Sequence, residues 1–288
     1  MIDISRYDST FENKWCPGCG NFGILQAMKH ALSSLTIPPE KVLIVSGIGQ
    51  AGKTPHFIRC NMFHGLHGRA LPVATGAKVA NHDLTVLVSS GDGDCYGEGG
   101  NHFIHAIRRN PNITLLVHNN QVYGLTKGQA SPTSSIGMIT KLQPHGVHQT
   151  PFNPILVALS LGATFVARGF SGKIQQLSQL IQQGIQHRGF SIIDICQPCV
   201  SFNSINTYPW YQKRIYELDE ATHNRSDLKH AMELATEWEE RIPLGIIYQS
   251  QRPAFEDTID ALKTLPLVKQ ETQVDQLRTI MNNEHKRN

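Results

Sequence analysis

The sequence predicts an α/β fold, a mostly parallel sheet with helices on both faces. Three observations predict it. Two apolar runs, Leu84-Thr85-Val86-Leu87-Val88 and Ile113-Thr114-Leu115-Leu116-Val117, read as strands. Between them Phe103, Ile104 and Ile107 recur at helical spacing, bounded by Gly99-Gly100 and Arg108-Arg109. One crossover helix between two parallel strands fits that gap. Beyond residue 153, helical and strand patterns alternate again through 155–161, 165–167, 174–185 and 191–195.

The 288 residues are long for one domain but allow it. The expected division is an α/β domain over 1–250 and a polar, helical C-terminal extension over 251–288 that packs on a partner chain. The formal net charge is +3, with no Lys/Arg block before the last few residues. Nucleic acid and acidic membrane surfaces are therefore not indicated as partners. No run reaches 18 apolar residues, and Met1-Ile2-Asp3-Ile4 does not open a signal peptide. A cytoplasmic protein is the expectation. Six cysteines in such a chain suggest metal or redox chemistry rather than disulfides.

In chain order, Trp15-Cys16-Pro17-Gly18-Cys19-Gly20-Asn21 comes first. A Cys-x-x-Cys with Pro and Gly between makes a tight turn that aims both sulfurs at one point, as iron–sulfur clusters and zinc require. The helix after it carries Leu25, Met28, Leu32 and Leu35 on one face. A thioredoxin-type redox pair would expect a strand before the motif, and Phe11-Glu12-Asn13-Lys14 is not one. A second pair, Cys196-Gln197-Pro198-Cys199, follows the apolar run 192–195. Together the pairs could supply four thiolates, or Cys196 could continue the strand as a small buried hydrophobe. Cys60 and Cys95 are lone and read as core or pocket wall.

Between the pairs, 45–53 looks like a phosphate loop but lacks the Gly-Lys-Ser/Thr order. Phe63-His64-Gly65-Leu66-His67-Gly68-Arg69 reads as a loop, with His67 a hydrogen-bonding wall of a ligand pocket or a plain turn histidine. Arg69 is a solvated cation or an anion contact. The densest motif is Gly91-Asp92-Gly93-Asp94, followed after the crossover by Asn119-Asn120-Gln121-Val122-Tyr123-Gly124. Asp92 and Asn120 then sit past the C-terminal ends of neighbouring strands, where open α/β sheets bind ligands. Mg²⁺ takes oxygen ligands, one or two of them from protein and the rest from phosphate and water. Asp92 offers a carboxylate, Asn120 an amide oxygen and Val122 its backbone carbonyl. The glycines let the backbone approach a diphosphate closely. The polar loop 123–133 belongs over a substrate, and its Lys127 could face a substrate carboxylate. Residues 134–153 read as loop. A last helical stripe carries Leu228, Met232, Ala235 and Trp238, and a last strand covers 244–248.

A Gly-Asp-Gly with Asn-Asn about 25 residues later is the pattern of thiamine-diphosphate enzymes. The segments WCPGCGNFG, SGIG, HGLHGRALPVATG, GDGD, NNQVYGLTKGQASPT, QPCVSFN and RIPLGIIYQ together resemble the β subunit of 2-oxoacid:ferredoxin oxidoreductases. That resemblance covers residues 15–250 and implies a thiamine-diphosphate-binding domain of the PP type. It implies that Asp92, Asn120 and Val122 hold the Mg²⁺ of thiamine diphosphate. It places Ile48, Gly49, His67, Gly91, Gly93, Asp94, Gly124 and Leu125 around the cofactor. His67 and Lys127 are then the catalytic candidates, and Cys16, Cys19 and Cys199 ligands of a [4Fe–4S] cluster.

The family has Cys-Ser-Gly after SGIG, and that cysteine is the fourth cluster ligand. Here Gln50-Ala51-Gly52 follows instead. Cys196 could take over, Gln50 or a small molecule could complete the site, or the cluster could be reduced to three irons or lost. The activity implied is coenzyme A-dependent oxidative decarboxylation of a 2-oxoacid, with electrons passed to ferredoxin and reversal to CO2 fixation. Lys127 suits a second carboxylate, hence 2-oxoglutarate before pyruvate or a broad range. The family draws the glutamate that activates the cofactor from an α subunit, so an αβ or (αβ)2 assembly is implied. Two other readings are a non-redox thiamine-dependent lyase without the cluster, and a non-enzymatic zinc-binding subunit.

Overall fold

A computed structural model describes residues 2–271 of the chain. Its elements in order are α1 (Asn21–Ser34), β1 (Val42–Ser46), β2 (Asn61–His64), α2 (Ala70–Ala80), β3 (Thr85–Gly91), α3 (Gly100–Arg109) and β4 (Thr114–Asn119). A short hairpin follows, β5 (Val122–Tyr123) with β6 (Gln129–Ala130). Then come α4 (Pro154–Ser160), β7 (Phe165–Phe170), α5 (Ile174–Gln186), β8 (Ser191–Cys196), α6 (Tyr208–Gln212), β9 (Ile215–Glu217), α7 (Leu228–Thr236) and β10 (Ile242–Gln249). The expected strands and crossover helix around residues 84–117 are β3, α3 and β4. The sequence patterns left β1, β2, α2, α6 and β9 unread. Trp238 lies beyond the end of α7 rather than on it.

Eight strands form one sheet in the order β2-β1-β3-β4-β8-β7-β10-β9. All neighbouring pairs are parallel except β7 with β10. Strand side chains alternate between two cores. Val86, Val88, Leu115 and Val117 pack with residues of α2, α3, α4 and α7. Leu87, Leu116, Ala167 and Ile193 pack with α1 and α5 on the other face. β4 and β8 are buried along their whole length, as central parallel strands covered on both faces must be. From β1 the chain turns outward to β2, while β3 lies on β1's other side. The loops leaving β1 and β3 therefore diverge and open a crevice at their C-terminal ends.

Residues 251–271, expected to begin a helical extension, instead make three short 3₁₀ turns, Phe255–Thr258, Asp260–Leu262 and Leu267–Lys269. Pro253 and Pro266 interrupt any longer helix. The rest of that segment lies outside the described residues. The turns are latched to the opposite end of the sheet from the crevice. Asn110 ends α3 in the left-handed conformation, φ 59°, which its short polar side chain tolerates. Its Nδ2 donates to the carbonyls of Arg252 and Pro253. Its Oδ1 accepts from Thr164 Oγ1 and Phe190 N, and its carbonyl from Phe255 N.

Removing that buried amide strands several partners at once. Asn110→Ala is expected to lower the free energy of unfolding by about 2–4 kcal/mol in urea titration. Asn81→Ala, which removes only the acceptor for Asp83 N at the surface, should change it by less than about 0.5 kcal/mol.

Candidate active site and thiol pocket

The crevice is framed by one buried carboxylate. Asp94 Oδ1 accepts from Ile48 N at 3.0 Å, Gly68 N at 2.8 Å and His67 Nδ1 at 2.7 Å, and Oδ2 accepts from Ser90 Oγ. It thereby ties the β1 loop, the 65–69 loop and β3 together. A carboxylate only accepts, so His67 donates through Nδ1 and keeps Nε2 free. Asp94 was expected to line a cofactor. It borders the crevice, but its oxygens are spent on the loops, because the backbone there has no other partner for these N–H groups. A Cβ at Gly47 would lie 2.0 Å from Asp94 Oδ2, so only glycine fits beside it.

Asp92 follows β3 and opens the π-helical turn Gly93–Glu98, a geometry frequent at functional sites. Its Oδ2 accepts from Thr133 Oγ1 at 2.7 Å and from Ser131 Oγ. Oδ1 receives no hydrogen bond from another described residue. Asp92 is 1% exposed, and burial pushes its carboxyl up to about 6 despite the two hydroxyls. A cation at Oδ1 would remove that penalty. Asn120, at the end of β4, turns its Oδ1 toward Val122 N at 3.0 Å, and Asn203 Nδ2 holds its backbone carbonyl. The ring of Tyr123 lies over the glycine turn: a Cβ on Gly93 would approach it to 2.3 Å.

These residues enclose a cleft of about 90 Å³. Ile48, Gly49, His67, Gly91, Asp92, Gly93, Asp94, Asn120, Val122, Gly124 and Leu125, all expected around one ligand, line it together. One carboxylate, one amide oxygen and a glycine-lined wall fit a magnesium diphosphate. Lys127 is not among the lining residues; it stands exposed on the loop beyond Leu125, at φ 77°. The hydroxyls of Ser131 and Thr133 and the ring of Tyr123 escaped the sequence reading. The signal for the two hydroxyls was the run Ala130-Ser131-Pro132-Thr133 that closes the loop.

The thiols gather in a second pocket beside the first, lined by Trp15, Cys16, Cys19, Gln50, Cys199 and neighbours. The two cysteine loops are fastened to each other. Gly20 N donates to Pro198 O, and Gln197 Nε2 reaches Cys19 Sγ at 3.5 Å. A Cβ at Gly20 would strike Gln197 at 2.5 Å. Asn21 Oδ1 accepts from His118 Nδ1 at 2.7 Å, anchoring the start of α1 beside β4. Burial pushes His118 down to about 3, so it stays neutral there. Burial likewise pushes the Cys19 thiol up to about 11, and the neighbouring Cys199 and Cys16 add to the rise.

Cys196 does not join them. It is the last residue of β8, 0% exposed, in an apolar cluster with Phe170, Tyr211, Ile242 and Leu244. Strand alternation turns its sulfur into the core three residues before Cys199, which corrects the expectation of a fourth thiolate. Gln50 lines the pocket instead, with its Oε1 buried and without a hydrogen-bond partner. Among the described residues no three His, Cys, Asp or Glu side chains converge as a single metal ion would require. Three thiols and an unpartnered oxygen line this one pocket, residue types that could serve a cluster.

Residues 45–195 match the family described as thiamine pyrophosphate enzyme, C-terminal TPP binding domain. Residues 199–264 match the C-terminal part of the pyruvate ferredoxin oxidoreductase beta subunit. A 2-oxoacid:ferredoxin oxidoreductase subunit beta from Saccharolobus solfataricus is 48% identical over 251 residues, covering 83% of this chain and 82% of that one. Its counterpart from a Sulfolobus species is 46% identical over 262 residues, 86% of each chain. A solved 2-oxoglutarate:ferredoxin oxidoreductase from Magnetococcus marinus, with 2-oxoglutarate, coenzyme A and succinyl-CoA bound, has a TM-score of 0.91 at 38% identity. That match covers 97% of this chain and 95% of the other. On these matches this chain belongs to the β subunits of the 2-oxoacid:ferredoxin oxidoreductases, an enzyme family.

Proposed function

We propose that this chain is the cofactor-binding half of a coenzyme A-dependent 2-oxoglutarate:ferredoxin oxidoreductase, working with an α subunit. The observation that carries the reading is the pairing of Asp92 with Asn120 at the ends of adjacent strands, around one glycine-walled cleft. When bound, thiamine diphosphate supplies the electron sink for decarboxylation of a 2-oxoacid, and an iron–sulfur cluster carries the electrons onward.

The chain's own residues then divide the work. Asp92, Asn120 and the Val122 carbonyl would hold Mg²⁺. Ser131 and Thr133 fix the Asp92 carboxylate, so its free oxygen is aimed without rotation. Asp94 positions His67, whose Nε2 is left to exchange a proton or hydrogen bond with what enters the cleft. Cys16, Cys19 and Cys199 would hold the cluster, next to the cleft rather than across the sheet. Leu125 in the cleft wall and Leu66, next to His67 in the chain, are 43% and 74% exposed, apolar surface that suits coverage by an α subunit. That subunit would also bring the activating glutamate and shield the reaction from water. The choice of 2-oxoglutarate rests on Lys127, an exposed cation at the rim suited to a second carboxylate, and on the substrate bound in the Magnetococcus relative.

The test is an assay of viologen or ferredoxin reduction by the co-expressed αβ complex with 2-oxoglutarate and coenzyme A. Turnover is expected from the complex and not from this chain alone. Full turnover by the isolated chain would refute the shared site. Lys127→Ala should raise KM for 2-oxoglutarate far more than for pyruvate; equal effects on both would remove the second-carboxylate argument. Thr133→Val should weaken Mg²⁺-dependent binding of thiamine diphosphate by about 10- to 100-fold in calorimetry, and Asp92→Ala by more. Unchanged affinity in either variant would show the ion lies elsewhere.

A further inference from the structure

Gln50 stands where the thiol pocket is short of a donor. We propose that its side-chain oxygen is the fourth ligand of the cluster held by Cys16, Cys19 and Cys199. The inference rests on the cluster reading above.

Three observations carry it. Gln50 lines the same pocket as the three thiols. Its Oε1 is buried yet accepts no hydrogen bond, a state that needs a reason. Its backbone is fixed from the cysteine side: Trp15 Nε1 donates to Gln50 O at 2.9 Å, and Trp15 directly precedes Cys16. The first cysteine loop therefore sets where the amide lies. No other cysteine competes, since Cys60, Cys95 and Cys196 are absent from the pocket wall. Gln197 also lines it with an unpartnered oxygen, but its Nε2 donates to Cys19 Sγ, which turns the oxygen end away from that sulfur.

An amide oxygen is neutral, whereas a thiolate carries a charge. A cluster with three thiolates and one such oxygen bears one less negative charge and accepts an electron more readily. The iron facing Gln50 is also bound more weakly than the other three. This chain would thus run its electron relay at a more positive potential than a four-thiolate site in the same pocket.

The experiment uses the αβ complex purified without oxygen, with iron counts, Mössbauer and EPR spectra and redox titration. Thiamine diphosphate retention serves as the control for folding. The wild type should hold about four irons, one of them spectroscopically distinct and lost first on mild oxidation. Gln50→Ala should lose about a quarter of the iron and show the EPR signal of a three-iron cluster. Gln50→Cys should keep its iron under oxidation and titrate at a more negative potential. Wild-type spectra and iron in Gln50→Ala, or an unmoved potential in Gln50→Cys, would overturn the proposal. So would a three-iron signal produced by Gln197→Ala and not by Gln50→Ala. Should Gln50→Ala fail to fold, the potential of Gln50→Cys decides alone. A wild-type complex that binds thiamine diphosphate and no iron would remove the cluster reading itself, leaving the magnesium site intact.

Discussion

Four hydrogen bonds into the Asp94 carboxylate keep the crevice in shape. The loops they join come from three separate strand ends and have few contacts of their own. Backbone N–H groups at Ile48 and Gly68 would otherwise be buried or half-buried without partners, at a cost of about 1–3 kcal/mol each. The same carboxylate sets the tautomer of His67. The neighbouring Asp92 is free for a ligand only because Asp94 takes on the internal work. Two aspartates separated by one glycine thus have opposite duties, and what separates them is where their hydrogen bonds come from.

Much of this was legible in the sequence. The β3–α3–β4 crossover could be read because its strands are continuous apolar runs, the mark of parallel strands covered on both sides. The placing of Asp92 and Asn120 followed from that crossover alone. β1 was hidden because its apolar run merges with the Gly-rich loop after it, and β2 because it is an exposed edge strand with no apolar pattern. The hydroxyls of Ser131 and Thr133 were unreadable for another reason. They act across about 40 residues through a loop whose path depends on the whole sheet. Cys196 was left open between a ligand and a small buried strand residue, and its burial supports the second. Spacing suggested a ligand pair, but strand alternation at the end of β8 sends its sulfur into the core.

The two pockets share a wall. Gln50, Asn120 and Gly124 border both. Side chains that would grip the diphosphate ion therefore stand next to those that would grip iron. Asn21, just past Cys19, and His118, just before Asn120, join the supports of the two sites through one hydrogen bond. Neither site can shift much without the other, because His118 is fully buried and also bonded to Ser89.

The latch at Asn110 gives the molecule two poles. Both pockets lie past the C-terminal ends of the parallel strands, while Arg252, Pro253 and Glu256 are fastened at their starts. Lys269 bonds Asp83 on that same underside. A fluorophore or surface tether on exposed Thr264, between these fastened turns, would therefore leave the pole that carries both pockets clear for whatever docks there.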